Sequence, residues 1–278
     1  MRQIDVRHLG RERVICCWQV GDVLIDPGPE PCVDTLVDAL GGQAPRALLL
    51  THIHLDHAGA AGALVRRWPD LEVHVHQIGA PHLADPSKLL TSAARLYGDD
   101  MRRLWGEVVP VPEANLRPLS GGEALAGGFR VEYTPGHASH HVAYLHEDSG
   151  RVFVGDVAGV RIAPADLTLP PTPPPDIDLD AWNTSLSHIA EWKPQSLGIT
   201  HFGALDAPFE QLAVMRDRLA AWATIARELD GPAFEQHVRD EIAAGTPDAD
   251  TAAAYTLAVP PEQQWLGLDR WWRKRAAA

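Results

Sequence analysis

Three histidines and an aspartate fall within six positions in Thr51-His52-Ile53-His54-Leu55-Asp56-His57, directly after the apolar run Ala47-Leu48-Leu49-Leu50. Burying that many polar groups without partners would cost several kcal/mol. They need a common partner, and a metal ion is the natural one. Further along, His137, Asp156 and His201 each follow another apolar, strand-like run, with Gly or Pro nearby where the backbone can turn. Nitrogen and carboxylate donors without cysteine suit Zn²⁺, and Fe²⁺ or Mn²⁺ would also be accepted. A zinc ion takes three or four protein groups and keeps a position for water, so seven donors divide into two sites. Two divalent ions side by side lower the pKa of a shared water from about 16 toward 7, making a bridging hydroxide available to attack a carbonyl carbon or a phosphorus. The chemistry expected is metal-assisted hydrolysis.

The donors need rigid supports. A buried strand ending at Leu50 would deliver the His-rich segment to the carboxyl end of a sheet, where ligand sites of layered α/β folds form, and residues 58–67 read as the helix that follows. Upstream, residues 4–20 predict two strands, and Gly21-Asp22 turns into a third at 23–25 that ends on Asp26-Pro27-Gly28. Asp26 is either a turn-maker or an acceptor that orients a metal-bound imidazole. A helix is expected over 33–40. Residues 71–76 alternate at period two, which puts His74 and His76 on a solvated face. A helical insertion, about residues 80–112, could form a wall or lid, with His82 and Tyr97 as its candidates for substrate contact.

Strands are expected again at 123–125, 129–133, 142–145, 151–154 and 196–200, and helices at 179–192, 209–229, 233–244 and 261–275. Six prolines in 164–175 predict an extended surface segment. In the last helix Trp265, Leu268, Trp271 and Trp272 share a face, which predicts docking onto the body of the protein or onto a second copy in a homodimer. Protonation of a leaving group would fall to solvent or to Tyr133, His140, His141 or His82.

Composition narrows the function. A chain of 278 residues, 45% hydrophobic and 22% charged, has material for one large core, or one core with an appendage. A net charge of −13 disfavours nucleic acid and anionic membrane as partners, since both demand a positive face. Cys16, Cys17 and Cys32 form neither a CxxC pair nor an even framework, so reduced thiols are expected. The opening residues lack the apolar core of a signal peptide, and the expectation is a cytoplasmic protein acting on a small molecule.

The motif HxHxDH, with His137 in TPGH, Asp156 in VGD and His201 in THFG, resembles the metallo-β-lactamase-fold superfamily of dinuclear metallohydrolases over residues 14–203. The resemblance implies an α/β four-layer αββα sandwich over residues 1–205, carrying the helical insertion, and a C-terminal helical extension over 206–278. It implies further that His52, His54 and His137 hold one metal, that Asp56, His57 and His201 hold the second, and that Asp156 bridges them. Asp56 would also orient the nucleophile. Substrates in view are a thioester, a lactone or a related small ester. A mononuclear iron sulfur dioxygenase, or phosphodiesterase or β-lactamase activity on the same site, is the alternative. The helical extension is similar in layout to that of the hydroxyacylglutathione hydrolases, without a recognisable glutathione-binding signature.

Overall fold

The computed structural model describes residues 1–277. Two six-stranded sheets form the centre of the molecule. The first contains β1 (Arg2–Asp5), β2 (Cys16–Val20), β3 (Val23–Ile25), β4 (Ala47–Leu49), β5 (Glu72–His76) and β6 (Leu116–Leu119) in sequence order. Pairing is antiparallel from β1 to β3 and parallel from β3 to β6. The second contains β7 (Ala124–Leu125), β8 (Phe129–Tyr133), β9 (Val142–His146), β10 (Arg151–Gly155), β11 (Ser196–Ile199) and β12 (Gly203–Leu205), with β10 and β11 its parallel pair. The sequence expectation passed over β6, whose Pro118 argues against a strand. It is tolerated because β6 lies at the edge of its sheet, where a missing ladder donor costs little.

Alternation along the strands sorts side chains between two cores. Val23, Ile25, Ala47 and Leu49 meet Phe129, Val142, Tyr144 and Phe153 between the sheets. Leu24, Leu48, Val73 and Val75 point the other way, into the packing of α1 (Val33–Ala39) and α3 (Ala61–Arg67). The opposite sheet buries Val152, Val154, Leu197 and Ile199 toward α7 (Leu179–Glu191) and the C-terminal helices. The layers are therefore helix, sheet, sheet, helix. A short α2 (Leu55–Ala58) precedes α3, so the single helix expected over 58–67 is broken at Gly59-Ala60.

Two covered faces per sheet correct the reading of His76. It is only 2% exposed, its ring stacks on Tyr133 with centroids 4.5 Å apart, and its Nδ1 accepts the Ile78 N–H at 3.3 Å. His74, paired with Glu72 at 3.6 Å, keeps partial exposure. Period-two alternation told the faces apart but could not say that the polar face meets another sheet.

The insertion holds α4 (Ala80–Ala84), α5 (Ser87–Tyr97) and α6 (Met101–Trp105), which close a small core of their own around Leu55, Ala93 and Trp105. After β12 come α8 (Pro208–Glu228), α9 (Gly231–Gly245), α10 (Ala249–Ala258) and α11 (Pro261–Ala276). The aromatic face of α11 docks on the rest of the chain: Trp265 Nε1 donates to the Ala226 and Leu229 carbonyls and Trp272 Nε1 to Ala223. The proline segment is not a surface strap. Leu169 and Thr172 are fully buried, and Thr172 is held against α11 by Gln264, whose backbone carbonyl accepts from the Thr172 hydroxyl at 3.0 Å. Among the described residues no helix is long and apolar enough to cross a membrane.

Candidate metal centre and adjoining cavity

Each candidate ligand sits just past the carboxyl end of a strand: the His52 to His57 segment after β4, His137 after β8, Asp156 after β10 and His201 after β11. Two glycines let those loops approach. Gly136, with φ +139°, lies so close to α7 that a Cβ would stand 2.3 Å from the Trp182 Cα. At Gly155, with φ +48°, a Cβ would meet the Thr51 hydroxyl at 2.4 Å.

The donor atoms converge in groups. His52, His54 and His137 form one triad, and Asp56, His57 and His201 another; His52, His57 and Asp156 form a third that joins them. His54 Nδ1 stands 2.9 Å from His137 Nε2. In the second triad His201 Nε2 is 3.3 Å and His57 Nε2 3.8 Å from Asp56 Oδ2. Asp156 turns one oxygen to each side: Oδ1 lies 3.2 Å from His57 Nε2 and 3.6 Å from His201 Nε2, and Oδ2 lies 3.3 Å from His137 Nε2. Ligand bonds of about 2.0–2.1 Å in tetrahedral array set donor atoms about 3.3 Å apart, the spacing seen here.

The far nitrogen of four rings is already engaged, and this fixes which nitrogen is free. His57 Nδ1 lies 2.8 Å from Asp26 Oδ2, His137 Nδ1 2.9 Å from the Pro171 carbonyl and His201 Nδ1 2.7 Å from the Val14 carbonyl. His52 Nδ1 lies 3.1 Å from the Thr51 hydroxyl, which itself donates to Asp26. With Nδ1 donating, Nε2 carries a lone pair. Nε2 of His52, His57 and His201 and Oδ1 of Asp156 are buried without a hydrogen-bond partner, the arrangement that a divalent cation satisfies.

Electrostatics hold His52, His54, Asp56 and Asp156 in ligand form. Burial, with His57 and His54 close by, keeps the His52 imidazole neutral well below its usual range, and burial beside His137 brings His54 down to about 4. Burial alone would raise the carboxyls of Asp56 and Asp156, but His57 and its neighbours outweigh it and hold both below the ordinary range. The same carboxylates, Asp156 foremost, overcome burial at His57 and raise it.

Asp26 is the hub beneath the second triad. Its carboxylate accepts from the Thr51 N–H at 2.8 Å, the Thr51 and Thr200 hydroxyls at 2.7 and 2.9 Å, and His57. Its φ of +49° is a conformation that costs a non-glycine residue about 1–3 kcal/mol, which those four contacts offset. Sequence reading missed Thr51 and Thr200, although a threonine directly before each of two candidate ligands, His52 and His201, was visible. The Pro171 and Val14 carbonyls had no signal, because any residue supplies a carbonyl.

A cavity of about 520 Å³ opens from Asp56, His54 and Asp156. His82, Tyr97 and His140 line it, whereas Tyr133 and His141 do not. Tyr133 donates its hydroxyl to the Ser139 carbonyl at 2.9 Å, and the His141 Nδ1 faces the Thr134 hydroxyl at 2.8 Å. His140 Nδ1 accepts the Ile53 N–H at 3.4 Å, which leaves its proton on Nε2. Tyr97 is half-buried beside Gln263 of α11, and desolvation raises its phenol well above the usual range, so it remains a donor. His8 and Trp105, stacked with centroids 5.6 Å apart, complete one wall; Trp105 belongs to the insertion expected to supply a wall, and His8 was not anticipated.

An αββα sandwich with two adjoining His/Asp clusters at its strand ends defines a metal-binding protein. Residues 21–194 match the model of the metallo-beta-lactamase superfamily, and the chain belongs to that superfamily. The metallo-beta-lactamase fold-containing protein of Sulfurisphaera tokodaii is 33% identical over 197 residues, 68% of this chain and 71% of that protein. A probable metallo-hydrolase of Bacillus subtilis is 35% identical over 49% of this chain and 60% of its own length. The hydroxyacylglutathione hydrolase of Xylella fastidiosa is 30% identical, with only 40% of its length covered. In three dimensions, an archaeal metallo-beta-lactamase superfamily protein from Sulfolobus tokodaii superposes with a TM-score of 0.70 over 96% of this chain and 97% of its own at 21% identity, a likeness of fold. A relative solved in a di-iron-bound form is 32% identical, with a TM-score of 0.53 over 70% of this chain and 91% of its own.

Proposed function

We propose that this chain is a dinuclear metal-dependent hydrolase that cleaves a small carboxylic ester, a thioester or a lactone. The observation that carries the reading is Asp156, whose two oxygens face different triads and so suit a bridge between two cations. In this reading His52, His54 and His137 hold one ion and Asp56, His57 and His201 the other, with zinc the preferred ion and iron or manganese acceptable to the same donors. Bound there, divalent cations supply Lewis acidity, which acidifies water and polarises a carbonyl oxygen.

The protein's own groups do the rest. Asp56 keeps Oδ2 toward His201 and His57 and borders the cavity, so its carboxylate can accept a hydrogen bond from an attacking water and orient it. Water adds to the carbonyl carbon, the C–O or C–S bond breaks, and the departing alkoxide or thiolate takes a proton. His82 borders the cavity and can deliver that proton, while the neutral His140 can donate a hydrogen bond from its Nε2–H to the departing atom. A small molecule is the partner that suits a cavity of this size and a chain of charge −13.

The test is metal analysis of the purified protein alongside hydrolysis of ester, thioester, lactone, β-lactam and phosphodiester probes. About two ions per chain, turnover of a carboxylic ester type, and loss of both ions in Asp156→Ala are expected. A single iron with oxygen uptake and no hydrolysis would replace this reading by the sulfur dioxygenase one.

A further inference from the structure

The walls of the cavity differ sharply from its floor. At the floor are His54, Asp56 and Asp156. Rising from it, the insertion presents Leu89, Leu96, Leu104 and Trp105, the last turn of α10 presents Leu257, and the connection to α11 presents Pro260. Pro173, Pro174 and Pro175 close a further side. Proline has little conformational freedom to lose, so this side is fixed before any ligand arrives. Tyr97 of the insertion and Gln263 of α11, neighbours on these walls, are polar groups that can orient one ester group.

Charge points the same way. Apart from the floor, the lining carries Asp100, Asp176 and Glu262 against Lys88 and Arg103. Arg103 is engaged with Asp100 at 2.8 Å and Asp176 with the Ser139 hydroxyl. Recognition of a carrier with several carboxylates or phosphates calls for convergent arginines and lysines. Among the described residues, the lining offers Lys88 as its cation outside an ion pair.

We propose that this cavity, with leucine, tryptophan and proline walls above the paired triads, takes the apolar arm of a neutral ester or thioester, and that the substrate bears an extended aliphatic or aromatic group rather than a polyanionic carrier. The substrate class rests on the hydrolase reading; the apolar arm rests on the walls alone. Each methylene buried against those walls tightens binding by about threefold to fourfold. The gain stops when the arm fills a volume that lies within the roughly 300–1,000 Å³ of ordinary small-molecule sites.

Methyl ketones from butanone to dodecanone are neutral, non-hydrolysable mimics of an ester with a growing arm. Calorimetric titration of the metal-loaded protein is expected to give affinities that rise about threefold per methylene and then level off. Leu89→Lys and Leu257→Lys, one on the insertion and one on α10, should each flatten that rise, and two sites guard against one variant failing to fold. S-methylglutathione, a thioether stand-in for the carrier named for the Xylella relative, should bind more weakly than decanone. An affinity that does not change with chain length, or tighter binding of S-methylglutathione, would overturn the proposal. Because binding is read without turnover, a rising series in a protein that hydrolyses no ester would overturn the hydrolase reading and leave the apolar site standing.

Discussion

Single side chains decide which nitrogen of each histidine is offered to a cation, and Asp26 is the residue on which most of that depends. In Asp26→Asn the His57 Nδ1–H loses a charged acceptor, and Thr51 and Thr200 lose part of theirs. Partners of this kind are worth about 10–100-fold in metal affinity. The expected result, read by competition with a chelator, is such a loss at the Asp56, His57 and His201 site and a smaller one at the other; equal losses at both would mean that Asp26 supports the whole loop. His76 makes a separate prediction about stability. Burial lowers its pKa in the folded protein, with Glu123 opposing weakly, and its Nδ1 can accept from Ile78 only when unprotonated. Between the folded and unfolded values the unfolded chain binds more protons, so this contribution is present above about pH 6.5 and is lost as pH falls below it. Replacing His76 by Phe should reduce the loss of stability between about pH 7.5 and pH 5.5 in denaturant titrations. An unchanged loss would assign the acid sensitivity elsewhere.

At the scale of elements, α11 reaches the metal centre through an intermediary. Its Gln264 grips Thr172, and the neighbouring Pro171 carbonyl faces His137 Nδ1 at 2.9 Å. The packing is tight: a Cβ on Gly267 of α11 would stand 2.1 Å from the Thr172 carbonyl oxygen. Gln264→Ala removes the side-chain acceptor and leaves the backbone carbonyl, and should therefore loosen the proline segment and weaken the His137 site by about tenfold. The effect should fall on the His52, His54 and His137 ion while the fold, followed by circular dichroism, survives. Metal affinities equal to the parent's would show that Pro171 is held by its prolines alone. The insertion stands differently. Its helices close around Leu55, a residue of the ligand loop itself, so the wall of the cavity and the metal loop share a small core.

For the whole molecule, the orphaned nitrogens at the seam of the two sheets are the largest unmet demand among the described residues. A ligand present at a thousand times its dissociation constant stabilises the native state by about 4 kcal/mol. For a chain of 278 residues that corresponds to a shift on the order of 10 °C in Tm. Treatment with a strong chelator should lower Tm by that order, and added zinc should restore it; a Tm indifferent to both would remove the metal from the account. Much of this was legible in the chain. Donor types and their spacing in HxHxDH, the donors His137, Asp156 and His201, the alternating strands and the turn at Asp26 are local properties, carried by neighbours in sequence. The burial of His76, the strand at residues 116–119, the buried course of the proline segment and the carbonyls that orient His137 and His201 were decided only by tertiary structure. Each depends on which face of one element meets another: Val14 lies 187 residues from His201, and Gln264 lies 92 from Thr172. A sequence records what a side chain can donate or accept, but the partner that meets it is chosen when distant segments pack.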